Sequence, residues 1–312
     1  MAKLAGMYRI CFGCEPLGGT DWGQVDVAAI ADAVEKALAL GVNFFDTAEV
    51  YGLGLSEKRL SEILGPRRHD VMIATKGGLS WQPSTSGGRA TIRRDSSPEH
   101  LRGAVHASLR RLRLERLPVY YIHWPDPNTD IRTSFDCLAR LQDAGKIGLI
   151  GCSNFNAEQV RLACEVANVA LVQLPVNVLG EDLESDMRQL VQEKGIGIVA
   201  YNVLAHGLLT GKYGLDVSFP ENDRRSRLPL FQGDTYRQAL QRVREISAAA
   251  ETQGLTCAQY SIAKVVNRAE VTSAILGIKN RRQLEENVSF LVTKEGSSRV
   301  AESTVGSNRG SK

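Results

Sequence analysis

Short runs of apolar and often β-branched residues alternate along this chain with longer stretches in which apolar residues recur three or four positions apart. Runs of the first kind predict strands, and the second spacing predicts amphipathic helices. The pattern predicts eight strands, at residues 10–14, 43–47, 71–76, 117–123, 148–153, 171–177, 197–203 and 271–277.

The stretches between these strands also carry helix signals at their ends. The first keeps the helical spacing from Val27 up to Gly41, and glycine is typical of helix C-termini. Another begins at Pro98, where proline suits the first turn, and Ser96 and Ser97 before it are N-cap candidates. The same spacing predicts helices at residues 156–169, 183–194 and 235–250.

Strands of such continuous hydrophobicity predict a parallel sheet covered by helices, and therefore an α/β protein. An open doubly wound sheet fits the alternation, but the count of eight favours closure into a (β/α)8 TIM barrel. No linker or repeat divides the chain, so we expect one barrel domain over residues 1–290 and a polar, mobile tail over 291–312. The long connection 204–234 has little periodicity, which in compact domains is typical of a functional lid or a disordered segment.

The charge and composition of the chain limit the kinds of partner that it is expected to bind. The formal net charge is only +3, too small for a global field that attracts nucleic acid or anionic membrane. The sequence has neither a run of ~18 apolar residues nor an apolar N-terminal signal. Cys11 and Cys14 form the only C-x-x-C spacing, without the second pair of a zinc site, so we predict no metal site. We expect a cytoplasmic protein with reduced thiols that acts on a small molecule.

Polar residues stand where three successive predicted strands end. Asp46 ends the second strand and is followed by Tyr51, while Lys76 and His123 end the third and fourth. In β/α barrels the chemistry collects at these carboxyl ends. Taken singly, each side chain has a plain structural interpretation: Tyr51 as packing, Lys76 reaching solvent, Asp46 as a helix cap and His123 as a satisfied core residue.

With these residues the chain resembles the aldo-keto reductase superfamily over nearly its whole length. The resemblance rests on several segments in the family's order and spacing, none of which is specific alone. They are residues 43–52 with Ser56-Glu57, 73–76, 121–124, 151–155, 172–173, 200–201, 207–213 and 277–280 with Gln283 and Glu286-Asn287.

The resemblance implies a catalytic tetrad of Asp46, Tyr51, Lys76 and His123 and an NADP(H)-dependent reduction of an aldehyde or ketone. Hydride transfer leaves an alkoxide, which Tyr51 protonates as general acid. Lys76 lowers the pKa of Tyr51 because a cation favours phenolate, and Asp46 orients the ammonium. His123 positions the substrate oxygen.

The resemblance also implies the cofactor site, in which no G-x-G-x-x-G opens a helix. Ser153, Asn154 and Gln173 would hold the nicotinamide amide, Tyr201 would stack on its ring, and the 204–210 segment would cover the pyrophosphate. The remaining cofactor contacts expected are Asn202, Leu204, His206, Leu208, Lys212, Gly277, Lys279, Asn280, Gln283, Glu286 and Asn287.

Basic residues near the adenosine end favour NADP over NAD. Lys279, with Arg281 and Arg282, could pair with a 2′-phosphate, although Arg281-Arg282 could equally be a solvated helix start. The chain departs from the family pattern in two places, with Asn202-Val203 after Tyr201 instead of serine and proline, and no proline before Gly277.

Substrate contacts are predicted from the tryptophans, and the favoured substrate is a sugar-like or small polar carbonyl. Trp22, Trp81 and Trp124 could line the pocket or simply pack, and arginines 224, 225 and 227 could meet an anionic substrate group or the pyrophosphate. Both termini are short for the family, so the pocket is open or completed by the 204–234 loop. The sequence leaves the oligomeric state open.

Two other functions fit the same residues. One is a regulatory protein resembling potassium-channel β-subunits, which bind the cofactor and act on a partner. The other is a β/α-barrel hydrolase or lyase that uses the polar cluster without nicotinamide. Turnover with NADPH and binding of NADP(H) distinguish these from a reductase.

Overall fold

The computed structural model describes residues 7–82 and 90–289, and most of these residues build a closed barrel of eight parallel strands surrounded by helices. The predicted TIM barrel is thus confirmed, and each predicted strand is found with its ends within about two residues. The strands in chain order are β1 (Ile10–Gly13), β2 (Phe44–Asp46), β3 (Met72–Gly77), β4 (Leu79–Gln82), β5 (Thr91–Arg94), β6 (Leu117–Ile122), β7 (Ile147–Ser153), β8 (Val169–Pro175), β9 (Gly197–Tyr201) and β10 (Val271–Gly277).

The barrel closes in the order β1–β10–β9–β8–β7–β6–β3–β2. Its register fixes which strand ends lie side by side: Gly13 pairs with Asp46, and Lys76 pairs with Tyr121. Because all eight strands are parallel, their carboxyl ends meet at one mouth. The predicted polar cluster therefore lies on one face of the barrel.

The helices start and end where the sequence places caps. The side chain of Asp26 accepts from the backbone at the start of α1, and that of Ser97 caps α3, which opens at Pro98. The predicted helix 156–169 is shorter, ending at Cys164. The helices are α1 (Val27–Ala39), α2 (Leu55–Leu64), α3 (Pro98–Leu112), α4 (Ile131–Asp143), α5 (Ala157–Cys164), α6 (Ser185–Lys194), α7 (Gly233–Glu251), α8 (Cys257–Val266) and α9 (281–289).

Alternate strand residues supply two separate cores. Phe44 points into the barrel and belongs to a cluster that includes Val119, Tyr121 and Leu171. Its neighbour Phe45 belongs to the larger cluster between the strands and the helices. This alternation explains why the strands read as continuous apolar runs, since both faces are buried.

Two segments stand outside the regular barrel at the carboxyl mouth. Strands β4 and β5 form an antiparallel pair that the sequence pattern did not predict. The 204–234 connection contains short 3₁₀ helices at Ala205–Thr210, Arg224–Arg227 and Pro229–Phe231, and it packs on α7 through a third apolar cluster.

The predicted tail 291–312 lies outside the described residues. No helix in the described ranges 7–82 and 90–289 is long and apolar enough to cross a membrane.

Candidate active site

A cavity of about 900 Å³ opens at the carboxyl mouth of the barrel and brings most of the predicted site residues together. The predicted residues that line it are Trp22, Asp46, Tyr51, His123, Trp124, Ser153, Asn154, Gln173, Tyr201, Asn202, Leu204, His206, Lys212, Gly277, Lys279, Gln283, Glu286 and Asn287. Lys76, Trp81, Leu208 and Asn280 are not among the lining residues.

Lys76 is fully buried directly behind the cavity wall. Its ammonium donates to Asp46 Oδ1 at 2.6 Å, to the Thr47 carbonyl oxygen at 2.9 Å and to the Tyr51 hydroxyl at 3.3 Å. These three acceptors match the three N–H bonds of an ammonium group. Burial lowers the pKa of Lys76, but the attraction of Asp46 and Tyr51 outweighs it, so Lys76 stays protonated.

Asp46 receives a second hydrogen bond that the sequence analysis missed. Gln173 Nε2 donates to Asp46 Oδ2 at 2.9 Å, so the carboxylate is held from two sides. Gln173 lies on β8, across the barrel, and also lines the cavity. Its amide nitrogen thus orients Asp46, an additional task for a residue expected to contact nicotinamide.

Tyr51 is placed by a close approach between two loops. A Cβ atom on Gly52, whose φ is +60°, would lie 2.1 Å from the Gly18 carbonyl oxygen, so a larger residue cannot fit beside Tyr51. The Tyr51 oxygen accepts from Lys76, which leaves its own proton free to be donated.

The net pKa of Tyr51 differs from the expectation. Burial raises it above the ordinary value of ~10, and the charge of Lys76 lowers it by less. The expected sign of the Lys76 effect is present, but the prediction of a lowered pKa is wrong, because desolvation of the phenolate dominates. Tyr51 therefore carries its proton throughout the neutral range.

His123 stands edge-on to Tyr51, with ring centroids 5.8 Å apart at 86°. Burial lowers the pKa of His123 well below its ordinary range, and the charges of Lys76 and Arg224 lower it further. Its Nδ1 has no hydrogen-bond partner within the described part of the chain. His123 is consequently a neutral imidazole that lines the cavity beside the Tyr51 hydroxyl.

Asn154 links the carboxyl end of β6 to that of β9. Its Nδ2 donates to the His123 carbonyl oxygen and to Ser153 Oγ, both at 3.0 Å, and its Oδ1 accepts from the Tyr201 hydroxyl at 2.6 Å. Asn154 has φ +66°, a left-handed conformation that asparagine tolerates better than most residues. This network fixes the Tyr201 ring at the cavity wall where stacking on nicotinamide was expected.

The 204–234 connection crosses the mouth and joins the loop after β1. Trp22 and Asp223 form an isolated antiparallel bridge, and Arg224 N donates to the Asp21 carbonyl oxygen at 2.9 Å. Arg227 pairs with the Asp21 carboxylate at 3.1 Å. We call this set of contacts between residues 21–22 and 223–227 the clasp. It covers part of the cavity, as expected if the 204–234 connection is a lid.

The basic residues at the far end of the cavity have different surroundings. Lys279 Nζ donates to the Trp22 carbonyl oxygen at 2.8 Å, so the ammonium already has a partner in the clasp. Arg281 pairs with Asp32 and Glu285 away from the cavity. Arg282 lines the cavity and has no hydrogen bond or ion pair within residues 7–82 and 90–289.

Three predicted cofactor or substrate contacts do not line the cavity: Asn280, Leu208 and Trp81. The side chain of Leu208 is fully buried in the apolar cluster under α7, because its 3₁₀ turn directs it inward. Trp81 is half-buried on β4, and it is Ile92, its partner on β5, that lines the cavity. The structure therefore does not bring these two side chains to the cavity.

Several lining residues were not found from the sequence. Glu15 follows β1 and pairs with Arg224, while Leu79 and Ile92 come from the β4–β5 hairpin. The strand-end position of Glu15 was an available signal, since it lies close to the carboxyl end of a predicted barrel strand. The hairpin residues gave none.

Comparison with known proteins gives a consistent set of relatives. A sequence model of the Aldo/keto reductase family matches residues 9–303. The chain is 30% identical over 280 residues to aldo-keto reductase YhdN of Bacillus subtilis, covering 89% of this chain and 83% of that protein. It is also 30% identical over 297 residues to aldo-keto reductase yakc (NADP(+)) of Schizosaccharomyces pombe, covering 94% and 85%.

Among solved structures, the glycerol dehydrogenase of Gluconobacter oxydans superimposes with a TM-score of 0.82 at 34% identity, covering 90% of this chain and 85% of that one.

Proposed function

This chain belongs to the aldo/keto reductase family, a family of oxidoreductases, and from that premise we propose that it reduces an aldehyde or ketone to an alcohol with NADPH. Tyr51 is the proton donor, Lys76 and Asp46 support it, and His123 positions the carbonyl oxygen. The observation that carries the proposal is the hydrogen-bonded chain from Asp46 through Lys76 to Tyr51 at the wall of the barrel-mouth cavity.

The cavity suits an extended nicotinamide dinucleotide. It runs from Tyr51 past Ser153 and Tyr201 to Asn287, and its volume is in the range of cofactor sites. Lys212 and Arg282 line it along this path, and cations are the groups that phosphates need. When bound, the cofactor supplies the hydride.

The protein's own residues handle the proton. Because the pKa of Tyr51 is raised, the phenol is protonated at neutral pH and can donate to the carbonyl oxygen as negative charge develops there. The resulting phenolate stays beside the Lys76 ammonium, which stabilises it. Neutral His123 holds the same oxygen in place without competing as an acid.

NADPH is favoured over NADH by the cations at the far end of the cavity. Since Lys279 is already bonded to Trp22, Arg282 is the residue we expect to meet the 2′-phosphate. The relative in Schizosaccharomyces pombe is named for NADP(+), which supports this choice. For the substrate, the likeness to a glycerol dehydrogenase supports a small, hydroxylated carbonyl compound.

Steady-state turnover tests the proposal. Oxidation of NADPH is followed by absorbance with a panel of short aldehydes and ketones, and the alcohol product is identified by mass spectrometry. We expect turnover that is lost in Lys76→Met. Tight NADPH binding without turnover of any carbonyl would instead indicate a regulatory protein of the potassium-channel β-subunit kind.

A further inference from the structure

An ion pair outside the tetrad lies in the same cavity. Arg224 Nη2 is 3.0 Å from Glu15 Oε1, and the two side chains keep 33% and 24% of their surface exposed. Both line the cavity together with Tyr51 and His123. The pair is therefore accessible to a bound substrate.

The charges of the pair also act on the reacting groups. Burial dominates the raised pKa of Tyr51, and the Glu15 carboxylate raises it further. Burial also dominates the lowered pKa of His123, to which Arg224 contributes after Lys76. Because all four side chains line one cavity, a carbonyl compound held between Tyr51 and His123 shares that cavity with Glu15 and Arg224.

Fastening the loop over the barrel does not require this ion pair. The clasp already joins the same two segments through the Trp22–Asp223 bridge, the Arg224 backbone and the Arg227–Asp21 pair. Arg224 is itself held by its backbone hydrogen bond and by Trp22, whose ring centroid is 5.5 Å from the guanidinium. Its side chain is thus positioned in advance.

The pair has spare hydrogen-bonding capacity. A carboxylate accepts about four hydrogen bonds and a guanidinium donates five, and the ion pair uses few of these. A hydroxyl group can donate to Glu15 and accept from Arg224 at the same time. Apolar side chains also line the cavity, namely Val50, Leu79, Ile92 and Trp124, and these cannot bind a hydroxyl group.

Charge decides which polar group fits. Glu15 neutralises Arg224, so a carboxylate or phosphate on the substrate would have to displace Glu15 and would be repelled by it. A neutral hydroxyl meets both partners without separating them.

We propose that the Glu15–Arg224 pair determines substrate specificity by binding a hydroxyl group next to the carbonyl, so that the protein selects neutral hydroxyaldehydes or hydroxyketones and rejects anionic carbonyl compounds. That the ligand is a carbonyl compound rests on the proposed function. That it carries a neighbouring hydroxyl group rests on the Glu15–Arg224 pair.

The kinetic test compares three aldehydes with NADPH: glyceraldehyde, propionaldehyde of the same chain length, and succinic semialdehyde, which carries a carboxylate. In the parent protein kcat/KM is expected to be highest for glyceraldehyde and lowest for the semialdehyde. Glu15→Gln should reduce the preference for glyceraldehyde over propionaldehyde several-fold, because the glutamine amide oxygen still accepts from the hydroxyl but without the charge that strengthens the bond. It should also raise the relative use of the semialdehyde, because Arg224 loses its counter-ion.

Arg224→Met distinguishes the binding of a hydroxyl group from the rejection of an anionic substrate. It should weaken the preference for glyceraldehyde as well, but bring no gain for the anionic aldehyde. The matched control is Arg237→Met on α7, an exposed arginine that pairs with Asp234 and does not line the cavity, which should leave all three ratios unchanged. Unchanged ratios in both Glu15→Gln and Arg224→Met would overturn the proposal.

A binding measurement keeps this inference distinct from the proposed function. With NADPH present, glycerol and 1-propanol cannot react, and their dissociation constants are read from tryptophan fluorescence. Glycerol should bind more tightly, and Glu15→Gln should reduce the difference, because a neutral amide accepts a weaker hydrogen bond than a carboxylate. This result would support the hydroxyl site even if no carbonyl were turned over, whereas equal affinities in the parent protein would refute it.

Discussion

Tyr51→Phe is the sharpest perturbation of the proposed chemistry because it removes one oxygen atom and little else. The ring remains, with its edge-on contact to His123. Lys76 loses the 3.3 Å hydrogen bond to the hydroxyl but keeps Asp46 and the Thr47 carbonyl oxygen. The cost in folding stability should be about 1 kcal/mol.

The effect on the chemical step should be much larger. A positioned general acid contributes ~10²–10⁴-fold, and each factor of ten corresponds to ~1.36 kcal/mol, so the barrier should rise by about 2.7–5.4 kcal/mol. His123 cannot replace the lost acid at neutral pH, because burial keeps its pKa well below the ordinary value of ~6.5. We therefore expect no recovery of kcat as the pH falls toward ~6.

The assay measures kcat at saturating NADPH between about pH 5 and pH 9, with NADPH affinity measured separately by fluorescence. A kcat within a few fold of the parent value, with normal NADPH binding, would refute the assignment of Tyr51. Activity that recovers on mild acidification would show that His123 takes a proton in this range, against the lowered pKa that its burial implies.

The remaining predictions follow from the same contacts. Lys76→Met should lower kcat in the same direction, and the double variant with Tyr51→Phe should be no worse than the worse single variant, since the two residues act as a unit; additive losses would contradict this. Arg282→Met should weaken NADPH binding at least about tenfold more than NADH binding, as measured by fluorescence titration. Arg281→Met, whose partners lie outside the cavity, serves as the control. Equal changes for both cofactors in Arg282→Met would rule out a 2′-phosphate contact. The kcat/KM for reduction should stay level from about pH 6 to 9, because Tyr51 stays protonated below its raised pKa and His123 stays neutral above its lowered one; a rate that falls across this range as Tyr51 ionises would contradict the raised pKa.

The barrel could be predicted from sequence because its strands have both faces buried. Runs such as the one ending at Asp46 are apolar throughout and are bounded by helix caps such as Asp26 and Ser97, so local signals agree with the final fold. The β4–β5 hairpin escaped prediction because each strand has only four residues, so the apolar alternation of β4 is too short to mark a strand, and β5 is exposed along its whole length.

The site could be predicted in its residue types but not in its electrostatics. The net pKa of Tyr51 depends on how far burial outweighs Lys76, and burial is a property of the closed barrel. The Glu15–Arg224 pair joins residues far apart in the chain, through a connection without periodicity. Leu208 and Trp81 show the converse case, in which a family position or a residue type suggested a place at the cavity but local backbone geometry directs the side chain elsewhere.

Transfer of hydride from the cofactor to a carbonyl carbon is the central claim, and isotope labelling tests it most directly. NADPH carrying deuterium at both C4 positions is incubated with the protein and glyceraldehyde or propionaldehyde, and the alcohol is analysed by mass spectrometry. We predict one deuterium on the former carbonyl carbon for each NADP+ formed. In Tyr51→Phe the rate at which the labelled alcohol forms should be at least about a hundredfold lower. Absence of alcohol from every carbonyl offered, or alcohol formed without deuterium, would contradict the account.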